Sequence, residues 1–150
     1  MRRVRRFFTD FCRCGMAGWC LEVLATSAES VLAGDWRLMG RTSLLMFPIY
    51  GCGAVLPRIA EWVDDWIGEG FAHPVDQMIR HGMLYMVLIF VGEYASGSWL
   101  RSLGVCPWDY TGTWASVGGL IRLDFAPVWF GTGLLFEKIV QSAAKEYVKR

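Results

Sequence analysis

Three glutamates occupy stretches whose other residues are largely apolar. Glu22 lies within residues 16–32, Glu93 within 83–103 and Glu137 within 120–140. Each stretch approaches the length of a helix that crosses a bilayer. A carboxylate is strongly disfavoured in hydrocarbon, so it faces a protein interior or a wet cavity and finds a partner there. The compensating charge would be a cation, a bound proton or Arg122. The three acids define a candidate polar seam between helices, suited to a substrate, an ion or a proton. The competing reading is interhelical hydrogen bonding that only fixes packing. For Glu137, beside Lys138 and near a helix end, a snorkelling terminal charge is the stronger expectation.

Other residues offer weaker chemistry. Arg122 and Asp124 are two apart and would not face each other on a regular helix, so each is expected to bond another element or to form a charged helix start. The run Cys106-Pro107-Trp108-Asp109-Tyr110 combines aromatic rings with a carboxylate. Such a group binds cations, and it equally suits an interfacial belt with Asp109 making a turn bond. Cys12-x-Cys14 is half a zinc pattern without its other half. His73 and His81 are expected to be surface residues. No P-loop, H-E-x-x-H helix or nucleophile elbow occurs, so the chain is not expected to be an enzyme and carries no cofactor or metal signature. A lipid-directed enzyme using Asp109, Asp124 and Arg122 is the least supported reading, because no activated nucleophile accompanies them.

The elements that must position these residues follow from composition. Of 150 residues, 54% are hydrophobic and 19% charged, shifted from soluble domains toward a membrane protein. Eight tryptophans suit the headgroup boundary. A net charge of +1 gives no electrostatic basis for nucleic-acid binding. Five cysteines, an odd number without framework spacing, argue against a disulfide scaffold. The expected fold is all-α: a single integral membrane domain over residues 1–150, a bundle of four transmembrane helices at about 11–32, 42–60, 77–103 and 119–140.

Helical spacing places Gly15 and Gly18 on the face of Glu22, and Glu29 seven residues on. Small residues beside a polar one are what close helix contact in lipid requires. Gly51, Gly92 and Gly97 are expected to serve the same purpose, with Gly92 and Ser96 forming a small-xxx-small pair. Pro48 should kink or break the second span. Trp62, Val63, Trp66 and Ile67 share one face of a short interfacial helix in the acidic stretch 61–80. Both ends are basic, from Arg2 to Arg6 and from Lys138 to Arg150. An even number of spans then puts both termini in the cytoplasm of a plasma or inner membrane.

Several motifs resemble a known family. Gly18-Trp19-Cys20-Leu21-Glu22-Val23 resembles the opening motif of the bacterial ABC-transporter type IV (CmpB-like) family. The run from Trp36 to Gly51 looks like the second-helix motif of that superfamily, and Glu93-Tyr94-Ala95-Ser96-Gly97 like its third. Residues 119–131 match the fourth. The Cys-Pro-Trp-Asp-Tyr loop and the run ending Ile49-Tyr50-Gly51 look especially like the transmembrane protein 229 relatives. The resemblance spans about residues 15–137 and implies a small multi-helix membrane protein, a permease-like transport component whose ATPase would be a separate subunit. Four helices are few for a pathway, so a homo- or hetero-oligomer is expected. The candidate binding residues are Glu22, Glu93, Trp19, Tyr50, Asp109, Arg122 and Asp124. The alternative is a membrane-embedded interaction or regulatory protein whose acids fix helix packing.

Overall fold

The computed structural model describes the backbone of residues 2–68 and 73–148, and the side chains of residues 3–68 and 73–144. Glu69 and Gly70 of the acidic stretch, and Lys149 and Arg150 of the basic tail, lie outside the described residues. The fold is all-α. Helix α1 spans Arg2–Leu32, α2 Met46–Gly51, α3 Leu56–Ile67, α4 Pro74–Ser102 and α5 Ala126–Val148. Two-residue strands β1 (Ser116–Val117) and β2 (Ile121–Arg122) pair antiparallel ahead of α5. Contacts divide the chain into two compact units, Met1–Ala54 and Val55–Arg150.

In the first unit, α1 is followed by a non-helical link that runs back along it to α2. A strip of hydroxyls on α1 holds the link. The Ser27 Oγ donates to the Leu38 carbonyl at 3.1 Å and the Ser30 Oγ to the Met39 carbonyl at 3.0 Å. Thr26 Oγ1 accepts from the Arg41 N–H at 2.8 Å. The link's backbone groups thus find partners on α1 without a sheet. The glycines on the Glu22 face admit aromatic rings from α2. A Cβ on Gly15 would lie 2.8 Å from the Phe47 ring, and one on Gly18 would overlap Tyr50. Gly51 returns the arrangement, its missing Cβ lying 2.6 Å from the Phe11 ring.

The second unit is an antiparallel pair, α4 and α5, with α3 packed on both. Pro74 sits in the first turn of α4, where its missing N–H is not needed. Gly82 and Gly133 let the helices close: a Cβ on the first would meet Phe130 and one on the second Tyr85. The turn between β1 and β2 contains Gly118 and Gly119 at φ 61° and 71°. Two successive left-handed residues favour glycine strongly. The Arg101 guanidinium at the end of α4 donates to both of their carbonyls, at 2.7 and 2.9 Å.

Four membrane-length helices were expected; among the described residues only α4, at 29 residues, is long and apolar enough to cross a bilayer. The reasons are local. The second span, expected at 42–60, breaks into α2, a 3-10 turn over Cys52–Val55, and α3, with Pro48 inside α2 and Pro57 in the first turn of α3. Helix α1 begins at Arg2 rather than near residue 11 and carries Asp10, Arg13, Glu22 and Glu29 along its length. The fourth span, expected from residue 119, starts as a helix only at Ala126, because residues 116–125 form the hairpin and a 3-10 turn. Glu137, Lys138 and Gln141 then interrupt its apolar run. The small-xxx-small pair of Gly92 and Ser96 receives no neighbour at Gly92 among the described residues. Gly92 faces open space, and the Ser96 Oγ bonds the Gly92 carbonyl of its own helix at 2.7 Å. Gly97 is the packing glycine of this segment, its face covered by Leu120 and Trp108.

Candidate functional site

Each intramembrane acid of the sequence reading has its own set of partners. Glu22, half-buried on α1, accepts a 2.8 Å hydrogen bond from the Thr42 hydroxyl through Oε2, and the Tyr50 hydroxyl bonds the same side chain. Trp19, one turn earlier, donates its indole N–H to the Ser43 carbonyl at 3.0 Å. Trp19, Glu22 and Tyr50 are therefore brought together, and the docked link supplies what they need. The arrangement is a satisfied polar contact within the first unit.

Glu93 is placed differently. It lies on α4, beneath the aromatic segment that joins α4 to α5. The Tyr110 hydroxyl donates to its Oε1 at 3.3 Å, a long and weak bond. Its Oε2 is buried and has no hydrogen-bond partner. The Trp129 side chain of α5 faces the same carboxylate, yet its buried N–H is also without a partner at hydrogen-bond geometry. An acceptor and a donor thus lie side by side, both unspent. A buried polar group in that condition costs about 1–3 kcal/mol unless something completes it.

Rings and charges wall this site. Tyr110 and Phe125 meet edge to face at 5.9 Å, and Phe125 and Trp129 at 6.1 Å. Arg122 stacks over Phe125, its guanidinium carbon 4.3 Å from the ring centroid. Its forked nitrogens grip Asp124 at 2.6 and 3.1 Å. The expectation that Arg122 and Asp124 cannot face each other is corrected: it assumed a regular helix, whereas Arg122 ends β2 and Asp124 lies in the 3-10 turn Leu123–Phe125. The cation attracted by these aromatic rings is the chain's own arginine.

Asp109 stands apart from Glu93. Its exposed carboxylate accepts from the Thr111 hydroxyl at 2.6 Å and the Thr111 N–H at 3.0 Å, and from Arg101 at 3.3 Å. The Thr111 bonds, with Arg101 adding a smaller effect, hold its carboxyl below the ordinary carboxylate range. It fixes a turn. Trp108 beside it turns inward against Gly97 and donates to the Leu120 carbonyl at 3.0 Å.

The residue that sequence reasoning missed is His81. Expected at the surface, it is only 6% exposed. Its Nδ1 lies 2.8 Å from Glu137 Oε1 and its Nε2 3.0 Å from Asp64 Oδ2. Glu137, expected to snorkel, is thereby turned inward. The partners lie 17 and 56 residues away along the chain, so no local spacing announces them. Among the described residues no three His, Cys, Asp or Glu side chains converge on a metal position. In the Cys12-x-Cys14 pair, Cys12 is exposed and Cys14 buried, so the two do not face one point.

The sequence model of the family described as Putative ABC-transporter type IV matches residues 9–150. The chain belongs to that family. No solved structure matches it.

Proposed function

We propose that this family member is a multi-pass membrane protein, a permease-like component of a transport complex, with its polar site around Glu93. The observation that carries the reading is the facing pair of Glu93 Oε2 and Trp129 N–H, neither with a completed hydrogen bond, with Glu93 on α4, the helix that among the described residues is long and apolar enough to cross a bilayer. A small polar solute that both donates and accepts hydrogen bonds would complete that pair. The neighbouring rings of Tyr110 and Phe125 would cover its apolar part. In the absence of such a solute, a small rotation would join the indole to the carboxylate, so the site can open or close on itself.

The outer face of α4 supports a lipid environment. Val75, Ile79, Met83, Val87 and Val91 stand four apart and are all about half exposed. Such a stripe is poorly suited to water. On α3, Trp62 and Trp66 project outward, as interfacial anchors do. Four crossings formed by α1, the α2–α3 segment, α4 and α5 would leave both basic ends in the cytoplasm.

A separate ATPase subunit fits the family description and the lack of a phosphate-binding loop in the sequence. The test is gentle solubilisation of the chain from its native membrane, followed by identification of stoichiometric companions. An ATPase subunit is expected. Recovery of copies of this chain alone, at near-native yield, would overturn the permease reading. It would favour the second one, in which the acids fix packing. Glu22 lends that reading a specific observation, since its partners come from its own unit and leave it satisfied.

A further inference from the structure

Helices α3, α4 and α5 meet at a charged knot that lies outside the Glu93 site. His81 of α4 is the centre of it. One ring nitrogen faces a carboxylate oxygen of Asp64 on α3 and the other a carboxylate oxygen of Glu137 on α5, at 3.0 and 2.8 Å. Both are hydrogen-bond distances. A neutral imidazole carries a single N–H and presents a lone pair at the other nitrogen. A lone pair facing an ionised carboxylate oxygen is repelled. With the two acids ionised and the ring neutral, one of the contacts could not form. The observed geometry needs one more proton than that, either on the ring or on one of the carboxyls.

Other polar groups surround the knot. Arg80 pairs with Asp64 at 2.7 Å. Gln77 donates to Asp64 at 3.3 Å and Gln141 to Glu137 at 3.1 Å. Glu61 of α3 adds negative potential on the Tyr85 side of the knot. The extra proton is required by the ring geometry, whatever the charges around it. The side chains of His81, Glu137 and Asp64 are 7%, 14% and 25% exposed, so Asp64 is the edge nearest solvent.

Tyr85 supplies an independent observation. It is fully buried, one turn along α4 from His81, with the two rings 5.7 Å apart. Its hydroxyl is directed at Glu137 without completing a hydrogen bond of full geometry. A buried hydroxyl left in that condition is uncommon. It has a use in a second arrangement, in which Glu137 gives up His81 and takes the phenol as its donor.

We infer that Asp64, His81 and Glu137 form a proton-binding site, holding one exchangeable proton between the three helices of this unit. The ligand is the proton itself. A metal ion does not fit, because the two acids address opposite sides of the ring and share no point. The proton arrives from water at the Asp64 edge. On binding, it closes the chain of hydrogen bonds from α3 through α4 to α5. On leaving, it returns to water by the same edge and exposes a lone pair to one acid, and Glu137 turns to Tyr85. The inference is independent of any ATPase partner.

The test uses the full chain carrying His73→Gln, so that His81 is the single histidine, labelled with nitrogen-15 and held in lipid nanodiscs. The expected spectrum has hydrogens on both ring nitrogens. Equally supportive is one ring N–H together with a carboxylic-acid carbonyl band in the infrared that Asp64→Asn or Glu137→Gln removes. A ring with one hydrogen and no such band overturns the inference, and the parent spectrum decides this without any cluster variant. In the doubly substituted Asp64→Asn, Glu137→Gln chain, the fraction of doubly protonated or acid-bonded His81 should fall severalfold. An unchanged fraction would also overturn it.

Discussion

Glu22 and Glu93 look alike in the sequence, each a lone acid in an apolar helix next to small residues, yet their surroundings differ. In the first unit the chain leaves α1, doubles back and brings a threonine and a tyrosine to Glu22. In the second unit the chain leaves α4 through an aromatic loop and gives Glu93 one distant phenol, leaving its other oxygen and the facing indole unspent. An acid within an apolar run therefore does not define a site by its position. What defines one is the donor count that the following segment delivers.

The comparison can be broken most severely by separating the two units. Gly133→Leu forces a side chain into Tyr85 and should destabilise the second unit by about 3 kcal/mol, while Gly18→Leu should do the same to the first through Tyr50. Limited proteolysis with mass spectrometry is expected to find new cleavage confined to the unit that carries the substitution. Loss of both units together in either variant would contradict their division.

A smaller effect tests the acids themselves. Glu22→Gln weakens a charge-assisted contact and should cost about 1 kcal/mol. Glu93→Gln should be close to neutral for stability, because it discharges a carboxylate that is incompletely bonded. Thermal unfolding of the two variants in the same detergent compares them directly, and the reverse order would mean that Glu93 is the structural acid. Smaller again is Tyr110→Phe, which removes a 3.3 Å bond and should cost about 0.5 kcal/mol. A larger loss would show that the phenol holds Glu93 more firmly than its distance implies.

The smallest effect concerns the loop beside Glu93. Thr111 holds the Asp109 carboxyl below its ordinary range. A lowered carboxyl stabilises the fold fully above the ordinary carboxylate value and loses that contribution as pH falls through its own lower value. Slower amide exchange at Thr111 in the parent chain than in Asp109→Asn is expected at neutral pH, with the difference vanishing on acidification. A difference that persists in acid would place the turn's stability elsewhere.

Periodicity made part of this legible. The placement of Gly15 and Gly18 beside Glu22 follows from helical spacing alone, and aromatic rings do fill both positions. Pro48, expected to kink or break the second span, instead lies inside α2, and the break falls later, at the 3-10 turn over Cys52–Val55. The Arg122–Asp124 grip was not legible, because it depends on where α5 begins, and that is set by the glycine turn at 118–119 rather than by hydrophobic pattern. His81 was hidden for a different reason. Its acids come from two other helices, and a sequence without a fold cannot say that Asp64 and Glu137 meet.

The hydroxyl strip on α1 has a consequence for the order in which the chain matures. In the first unit Trp19 reaches Ser43, 24 residues on, and Glu22 reaches Thr42, 20 residues on, whereas His81 must wait for a partner 56 positions downstream. Short closures lose little chain entropy and form early. The first unit is synthesised before the second. Thr26, Ser27 and Ser30 can then hold the link's backbone against α1 early, and the second unit completes only when its last helix arrives.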